Sequence, residues 1–498
     1  MLGEIPINWM NSTLGDVVEY GKTKKVDATA ANDDTWILEL EDIEKDTSKI
    51  LKKLTFADRK FKSTKNVFKK GDVLYGKLRP YLNKVVIADD DGVCTTEIIP
   101  MDGMNNLDNG YLFYWLKTSV FSDYVTEVGY GVNMPRLGTK DGQAAPFILA
   151  PLAEQKEIAR RLDDLLAQVD TLKARLDNIP AILKRFRQSV LAAAVSGKLT
   201  EEWRKENKCE DIDGYLNAIK KERIELKKQK ALKKSFGNSS KPDPLFEVIP
   251  ENWSWVTFED IAENSNNALK AGPFGSALKK SDCVDSGFKI YGQEQVIAGD
   301  ENLITYYIDD EKFDQLKGCA VKSGDILISL VGTIGKILVL SKNCEPGIIN
   351  PRLVKLALQA DISRGYVKSY LDSPIAKNFF KGFSHGGTMD ILNLGILKQL
   401  PIALPPLEEQ TEIVRRVEQL FAFADKIEEK VNKAQTRVDK LTQSILKKAF
   451  QGDLTAEWRE QNPDLISGEN SAEALLERIK TEREKLKPVK KTRRKTKA

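Results

Sequence analysis

The chain has 498 residues and a formal net charge of +4, from 77 Lys and Arg against 73 Asp and Glu. That length suggests roughly two to four domains, each large enough for its own core. The sequence has no run of about 18 apolar residues, which excludes a membrane span, and Met1 to Trp9 lacks the basic start and apolar core of a signal peptide. His385 is the only histidine, so no multi-histidine metal centre is available, and its Gly/Ser surroundings read as a loop without chemistry. Cys94, Cys209, Cys283, Cys319 and Cys344 form no CxxC pair, which points to a reducing, cytoplasmic setting without a disulfide framework or zinc site.

Residues 1 to about 145 read as a first globular unit, opening with Ile5-Pro6-Ile7-Asn8-Trp9. A helix or turn starts near Leu14. Short β-like runs follow at Trp36–Leu40, Val73–Tyr75, Lys84–Ala88 and Thr96–Ile99, bounded by turn clusters such as Asp89-Asp90-Asp91-Gly92. Tyr111 to Val125 has helical spacing.

From Ile158 to Val190 apolar residues recur in alternating steps of four and three: Ile158, Leu162, Leu165, Val169, Leu172, Leu176 and onward. This is the heptad of a helix whose stripe faces another helix. About 33 residues make roughly 48 Å of helix at about 1.5 Å per residue. Pro180 lies inside the run and predicts a kink near Ile179. Residues 210 to 234 read as a highly charged helix, and Ser235 to Pro244 as a linker.

The second unit opens as the first did, with Ile249-Pro250-Glu251-Asn252-Trp253. Strand-like stretches recur at Ile326–Val331, Lys336–Leu340 and Leu353–Leu358. The seam then returns in the same register from Ile413 to Ile445. Pro146–Arg204 aligns without a gap onto Pro401–Arg459, with about 23 of about 59 positions identical. A third echo follows each exit, Ile219 to Arg223 answering Ile479 to Arg483. Between these anchors the two units differ almost completely. The tail from Lys487 to Ala498 is dense in Lys and Arg and fits either a solvated end or a nucleic-acid arm.

The expected fold is therefore α+β. Two mixed α/β units alternate with two long helices, which pair as an intramolecular antiparallel coiled coil with a pseudo-twofold internal repeat. A pseudo-twofold protein with two dissimilar heads suits a split, non-palindromic DNA site. From Lys52 to Lys84 basic residues outnumber acids by about nine, with aromatics interleaved. Lys69, Lys70, Lys77, Arg79 and Lys84 are the candidate DNA contacts there, Arg79 being able to fork onto a guanine edge. A solvated basic face over a small core is the other reading. In the second unit the candidates are Lys270, Lys279, Lys280, Lys336 and Arg352.

Catalytic motifs are absent. Gly332-Thr333-Ile334-Gly335-Lys336 resembles a phosphate loop, but Ile337 stands where Ser or Thr would hold magnesium. Asn350-Pro351-Arg352-Leu353 begins like an amino-methyltransferase motif and lacks its second proline and aromatic. No catalytic residue, cofactor site or metal site is expected in this chain, which leaves a recognition part. A coiled-coil scaffold joining two protein-binding domains is the alternative, and a single-chain restriction or methylation enzyme a further rival.

The chain resembles the specificity subunits of type I restriction-modification enzymes. The likeness rests on Leu149-Ala150-Pro151-Leu152-Ala153-Glu154-Gln155 and Leu404-Pro405-Pro406-Leu407-Glu408-Glu409-Gln410, on Gly197 to Arg204 and Gly452 to Arg459, and on the two IPxNW openings. The resemblance implies two target-recognition domains, at 1–148 and 245–403, and two helical spacer regions, at 149–235 and 404–487. A linker at 236–244 and a basic tail at 488–498 complete the chain. It further implies double-stranded DNA as partner, with two methylation subunits bringing S-adenosylmethionine and motor-nuclease subunits bringing ATP and magnesium. Met134-Pro135-Arg136-Leu137 and Thr388-Met389-Asp390-Ile391 fall at equivalent places before each helix, which makes them structural or DNA-facing loops and adds Arg136 to the candidates.

Overall fold

A computed structural model of the chain describes residues 4–131, 133–232, 242–331, 335–383 and 392–485. His385, Thr388–Ile391, the phosphate-loop-like Gly332–Ile334, the centre of the expected linker and the basic tail lie outside them. The chain divides into two compact units, Met1–Asp177 with Asn432–Ala498, and Asn178–Val431. Each contains one globular domain, the start of the long helix that follows it and the end of the other long helix. The long helices are Leu152–Val195 and Leu407–Gln451, and the first passes through Pro180 without a break.

Inside the first unit, ascending numbers on one helix meet descending numbers on the other. Lys173 pairs with Asp439 at 2.8 Å, and Asp177 accepts from Gln435 at 2.9 Å. The second unit shows the same opposition: Arg187 bridges Asp425 at 2.6 Å and Glu428 at 2.8 Å, and Arg416 donates to Leu199 O, just past the end of the first helix, at 2.9 Å. Seam residues Ile158, Leu162, Val169 and Val438 are buried in the first unit, and Leu183, Val190, Ile413, Val417 and Ala424 in the second. Leu172 and Leu441 depart from the expected seam and stay 47% and 40% exposed.

The helix ends do more than the heptad suggests. Leu446, Ala449 and Phe450 lie in the core of the first domain, with Phe450 against Tyr111 and Trp115 at ring separations of 5.0 and 5.1 Å. Leu191, Ala194 and Val195 do the same in the second. Each domain thus completes its core with the end of the helix that follows the other domain.

A buried carboxylate locks that arrangement in each unit. Glu154 is fully buried and accepts from Trp9 Nε1 at 2.7 Å, Thr455 Oγ1 at 2.7 Å and Arg459 Nε at 2.9 Å. Arg459 also reaches the carbonyl of Gly452 at 2.7 Å. Glu409 repeats every bond, with Trp253 at 2.8 Å, Thr200 at 2.7 Å, Arg204 Nε at 3.0 Å and Gly197 O held by Arg204 at 2.6 Å. An ionised carboxylate survives burial only when donors saturate it, and here they come from two other motifs, the tryptophan of the opening and the threonine and arginine of the helix exit. Gly197 and Gly452 end the long helices at φ +78° and +86°. A Cβ there would lie 2.5 Å from Pro250 Cγ or 2.3 Å from Pro6 Cγ, so the turn demands glycine twice over.

The third echo forms straps, Ile212–Lys228 and Ala472–Lys485. Ile219 and Ile479 are buried, and the arginines that follow donate to carbonyls at the end of a short helix at the front of each domain, Leu14–Val17 and Phe258–Ile261. Arg483 donates to Gly15 O and Asp16 O at 2.7 Å; Arg223 donates to Ala262 O at 2.6 Å.

The domain interiors differ in sequence but share most of their strand order, each having one edge strand the other lacks. In the first, the order is Lys25–Val26, Lys65–Phe68, Gly92–Cys94, Trp36–Leu38, Leu54–Thr55, beside a sheet of Val85–Ile87, Val73–Gly76 and Ile98–Met101. In the second, Tyr307–Ile308, Phe288–Tyr291, Gly347–Ile349 and Ala320–Val321 form one sheet, and Leu269–Ala271, Leu353–Leu356, Ile326–Ser329 and Ile337–Val339 the other. Both contain one parallel pair, Trp36–Leu38 with Gly92–Cys94 and Phe288–Tyr291 with Gly347–Ile349. The helix expected over Tyr111 to Val125 is two, Asn109–Leu116 and Ser119–Val128. Thr118 separates them, donating to Trp115 O at 2.7 Å and accepting from Phe121 N as the second helix's cap.

Removing one carboxylate strands an arginine, an indole N–H and a hydroxyl. Glu154→Ala and Glu409→Ala are each expected to lower stability by about 3 kcal/mol, with the Gln variants losing less, as measured by urea unfolding. Glu157 and Glu412 are held down to about 2 by hydrogen bonds from Arg160 and Arg161, and from Arg415 and Arg416. A folded-state value below the ordinary 4.5 stabilises fully above that value and is lost as pH falls towards 2. Replacing both glutamates by Gln is expected to flatten the fall in urea stability between pH 5 and 3.

Candidate nucleic-acid interface

Four basic residues of the first domain's basic stretch are paired with acids from outside it. Arg59 bonds Asp42 at 2.9 Å and Glu41 at 3.1 Å, Lys60 bonds Asp33 at 2.7 Å, and Lys53 bonds Asp89 at 3.0 Å. Lys65 is buried against Glu39. The excess of nine counted along the sequence is therefore not the charge of the surface, since sheet pairing brings those acids alongside.

What remains is sorted by the hairpin of Val73–Gly76 and Val85–Ile87. At one end lie Lys69 and Lys70, both exposed, with their backbone N–H groups on Asp72 and Asp91 at 2.8 Å. At the other end lie Lys77, Arg79 and Lys84. Lys84 turns inward, donating to Leu40 O at 2.6 Å, and burial lowers its pKa. Arg79 is exposed, and its N–H donates to Pro135 O at 2.7 Å. Its backbone sits in the left-handed region at φ +51°, and Asn83 beyond the intervening turn sits there too at φ +48°. Two non-glycine residues in that region around one tight loop mark a conformation imposed by its surroundings.

Those surroundings are the segment before the long helix. Leu78 bridges Arg136, Leu137 N donates to Lys77 O at 2.9 Å, and Tyr130 and Arg136 exchange backbone bonds at 3.1 and 2.9 Å. Arg136 Nε then reaches Glu97 Oε2 at 3.2 Å, and Lys77 N donates to Glu97 O at 2.9 Å. Lys77, Arg79 and Arg136 thus converge in one rigid loop cluster, with Tyr81 and Tyr130 exposed by 52% and 59%. Cationic groups for phosphates, a forked guanidinium and exposed rings are the parts a nucleic-acid surface uses.

In the second domain the same frame recurs. Gly76 N donates to Lys84 O at 2.9 Å, and Ser329 N to Lys336 O at 3.0 Å, which makes Lys336 the counterpart of Lys84. Lys336 and Arg352 are exposed, and Arg352 lies 3.5 Å from Gln293 Oε1. Lys270, Lys279 and Lys280 are placed apart from them. Lys270 is on the edge strand facing Lys355, beside a cavity of about 400 Å³. Lys279 and Lys280 begin a turn closed by Asp282, whose carboxylate accepts from Lys279 N at 2.7 Å. Glu97 and Gln293 escaped sequence reasoning, because neither belongs to a charge run or a motif. Among the described residues no three His, Cys, Asp or Glu side chains are grouped to hold a metal ion, and no helix is long and apolar enough to cross a membrane.

A family model described as the type I restriction modification DNA specificity domain matches residues 6–181 and 250–435. The chain belongs to this family. Both matched spans begin at an IPxNW opening and run through a domain into the long helix that follows it. Among curated proteins, the specificity subunit of the type I restriction enzyme EcoBI of Escherichia coli is 41% identical over 353 residues, covering 71% of this chain and 67% of that one. The EcoDI specificity subunit, also of Escherichia coli, is 31% identical over 502 residues, covering 97% of this chain and 96% of that one. The solved HsdS subunit from Thermoanaerobacter tengcongensis superposes with a TM-score of 0.57 at 19% identity, covering 91% of this chain and 98% of that one. It shares the α+β fold with long helices. The function of this chain is accordingly DNA specificity within a type I restriction-modification system.

Proposed function

We propose that each unit reads one half of a bipartite, asymmetric DNA site through the loop cluster around its hairpin. The observation that carries this is the convergence of Lys77, Arg79 and Arg136 on one backbone-locked cluster, with the same hydrogen-bonded frame around Lys336 and Arg352. The recognition domains span 1–148 and 245–403, and their unlike side chains make the half-sites unlike. Lys69, Lys70, Lys270, Lys279 and Lys280 serve as outlying phosphate contacts, which position without specifying sequence. The long helices act as one antiparallel, pseudo-twofold coiled-coil spacer; the opposed helix contacts inside each unit support this. The spacer regions, 149–235 and 404–487, dock two methylation subunits and, with them, motor-nuclease subunits, in the cytoplasm. S-adenosylmethionine, ATP and magnesium belong to those partners, and this chain contributes no catalytic residue.

Mapping adenine methylation across the host genome, with and without this chain, tests the reading. Loss of methylation at one split, asymmetric motif is expected. An unchanged map with the partners expressed would favour a scaffold joining two protein-binding domains, for which DNA affinity would lack a steep dependence on salt. Arg79→Ala is expected to alter recognition of one half-site alone, and equal losses on both halves would refute its assignment. Inserting about four residues, roughly one helical turn, into one long helix is expected to change the gap between half-sites or abolish assembly. Full activity at unchanged spacing would sink the spacer role.

A further inference from the structure

The two domains carry opposite charges at one equivalent position beside their reading loops. In the first domain, the turn between the two sheets runs Thr95-Thr96-Glu97. Thr95 Oγ1 accepts from Glu97 N at 3.5 Å, Ile98 N donates to Thr95 O at 3.0 Å, and Glu97 O accepts from Lys77 N at 2.9 Å. In the second, the turn runs Asn350-Pro351-Arg352. Asn350 Oδ1 accepts from Arg352 N at 2.9 Å, Leu353 N donates to Asn350 O at 3.2 Å, and Arg352 O accepts from Leu330 N at 2.9 Å. The next link matches as well: Leu137 N donates to Lys77 O at 2.9 Å, and Leu392 N to Leu330 O at 3.0 Å. These three backbone bonds are shared by the two domains, and the charge of the side chain displayed there is inverted.

Both side chains keep hydrogen-bonding capacity among the described residues, although Glu97 is paired with Arg136 through one oxygen. Glu97 uses Oε2 for Arg136 at 3.2 Å, and its Oε1 makes no hydrogen bond among the described residues. Arg352 is exposed, and among the described residues its side chain makes one hydrogen bond, at 3.5 Å, from Nη1 to Gln293 Oε1. A carboxylate in a groove accepts from the exocyclic amine of cytosine, while a guanidinium donates to the O6 and N7 of guanine. A carboxylate is also an unfavourable phosphate contact, so its place in a cationic cluster argues for a base rather than the backbone.

We infer that Glu97 and Arg352 are equivalent specificity-determining residues, each discriminating one base pair of its own half-site, an amino-bearing base for Glu97 and guanine for Arg352. The inference rests on the bipartite reading above. It also gives the Asn350-Pro351-Arg352 sequence a role: the Asn side chain and the proline fix the turn that presents the arginine.

The test uses the full chain assembled with its methylation subunits, selecting from duplexes in which both half-sites are randomised. Glu97→Gln and Glu97→Arg are expected to change base preference at one position of one half-site by about tenfold or more, leaving the other half unchanged. Arg352→Gln is expected to relax one position of the other half by a similar factor. Affinity falling uniformly over all sequences would reduce Glu97 to a support for Arg136 and Arg352 to a phosphate contact, overturning the inference. A change in both halves would overturn it too. If Glu97→Arg does not fold, the exposed Arg352→Gln and the near-isosteric Glu97→Gln decide. A wild-type assembly that selects no split site would instead overturn the bipartite reading, an outcome distinct from variants that select the wild-type site.

Discussion

In each unit one buried carboxylate ties the opening of a domain to the entrance of one long helix and the exit of the other. Glu154 and Glu409 are placed at the first turn of a long helix, out of reach of water. Burial of an ionised group is tolerable only with a full set of donors, and the set here is an arginine, a threonine and a tryptophan from two other segments. That requirement explains why three motifs scattered through the sequence occur together, and why they occur twice. The opening IPxNW brings the indole, the helix entrance brings the glutamate, and the GxLTxxWR exit brings the hydroxyl and guanidinium. A glycine at the exit lets the proline of the opening close on it.

With the frame fixed in this way, the domain interiors were free to diverge. They kept a parallel strand pair, a hairpin and a turn between two sheets, all defined by backbone bonds. Backbone hydrogen bonding constrains where a loop lies but not which side chain it displays. Position 97 in one domain and 352 in the other occupy the same backbone environment and carry opposite charges. A scaffold built on main-chain bonds can exchange recognition chemistry without exchanging its fold, which is what a specificity protein with two dissimilar reading heads requires.

Much of the architecture was legible in the sequence because its signals are local or periodic. The heptad steps from Ile158 located a long helix, and the gapless alignment onto Ile413 located another. Strands such as Val73–Gly76 and Ile326–Ser329 fell in short apolar runs bounded by turn residues. The single helix expected over Tyr111 to Val125 failed at Thr118, whose hydroxyl offers the backbone an alternative bond that periodicity does not register. The basic window misled for a different reason. Its charges were counted along the chain, while Asp33, Glu39, Glu41, Asp42, Asp89 and Asp90 pair with them across sheets.

The repeat, the long helices, the motifs and the family were already legible in the order of residues, since each is carried by residues a fixed short distance apart. Tertiary structure alone decided which cations are spent on internal partners and which face outward. Lys65 and Lys84 turn in, while Arg79 and Arg352 stay out. It also decided that Leu446, Ala449 and Phe450 belong to a domain more than 290 residues earlier in the chain, at Tyr111 and Phe147. The physical reason is common to both. Charge neutralisation and core packing act through space over a few ångströms, and no spacing along the chain reports which distant segments will meet.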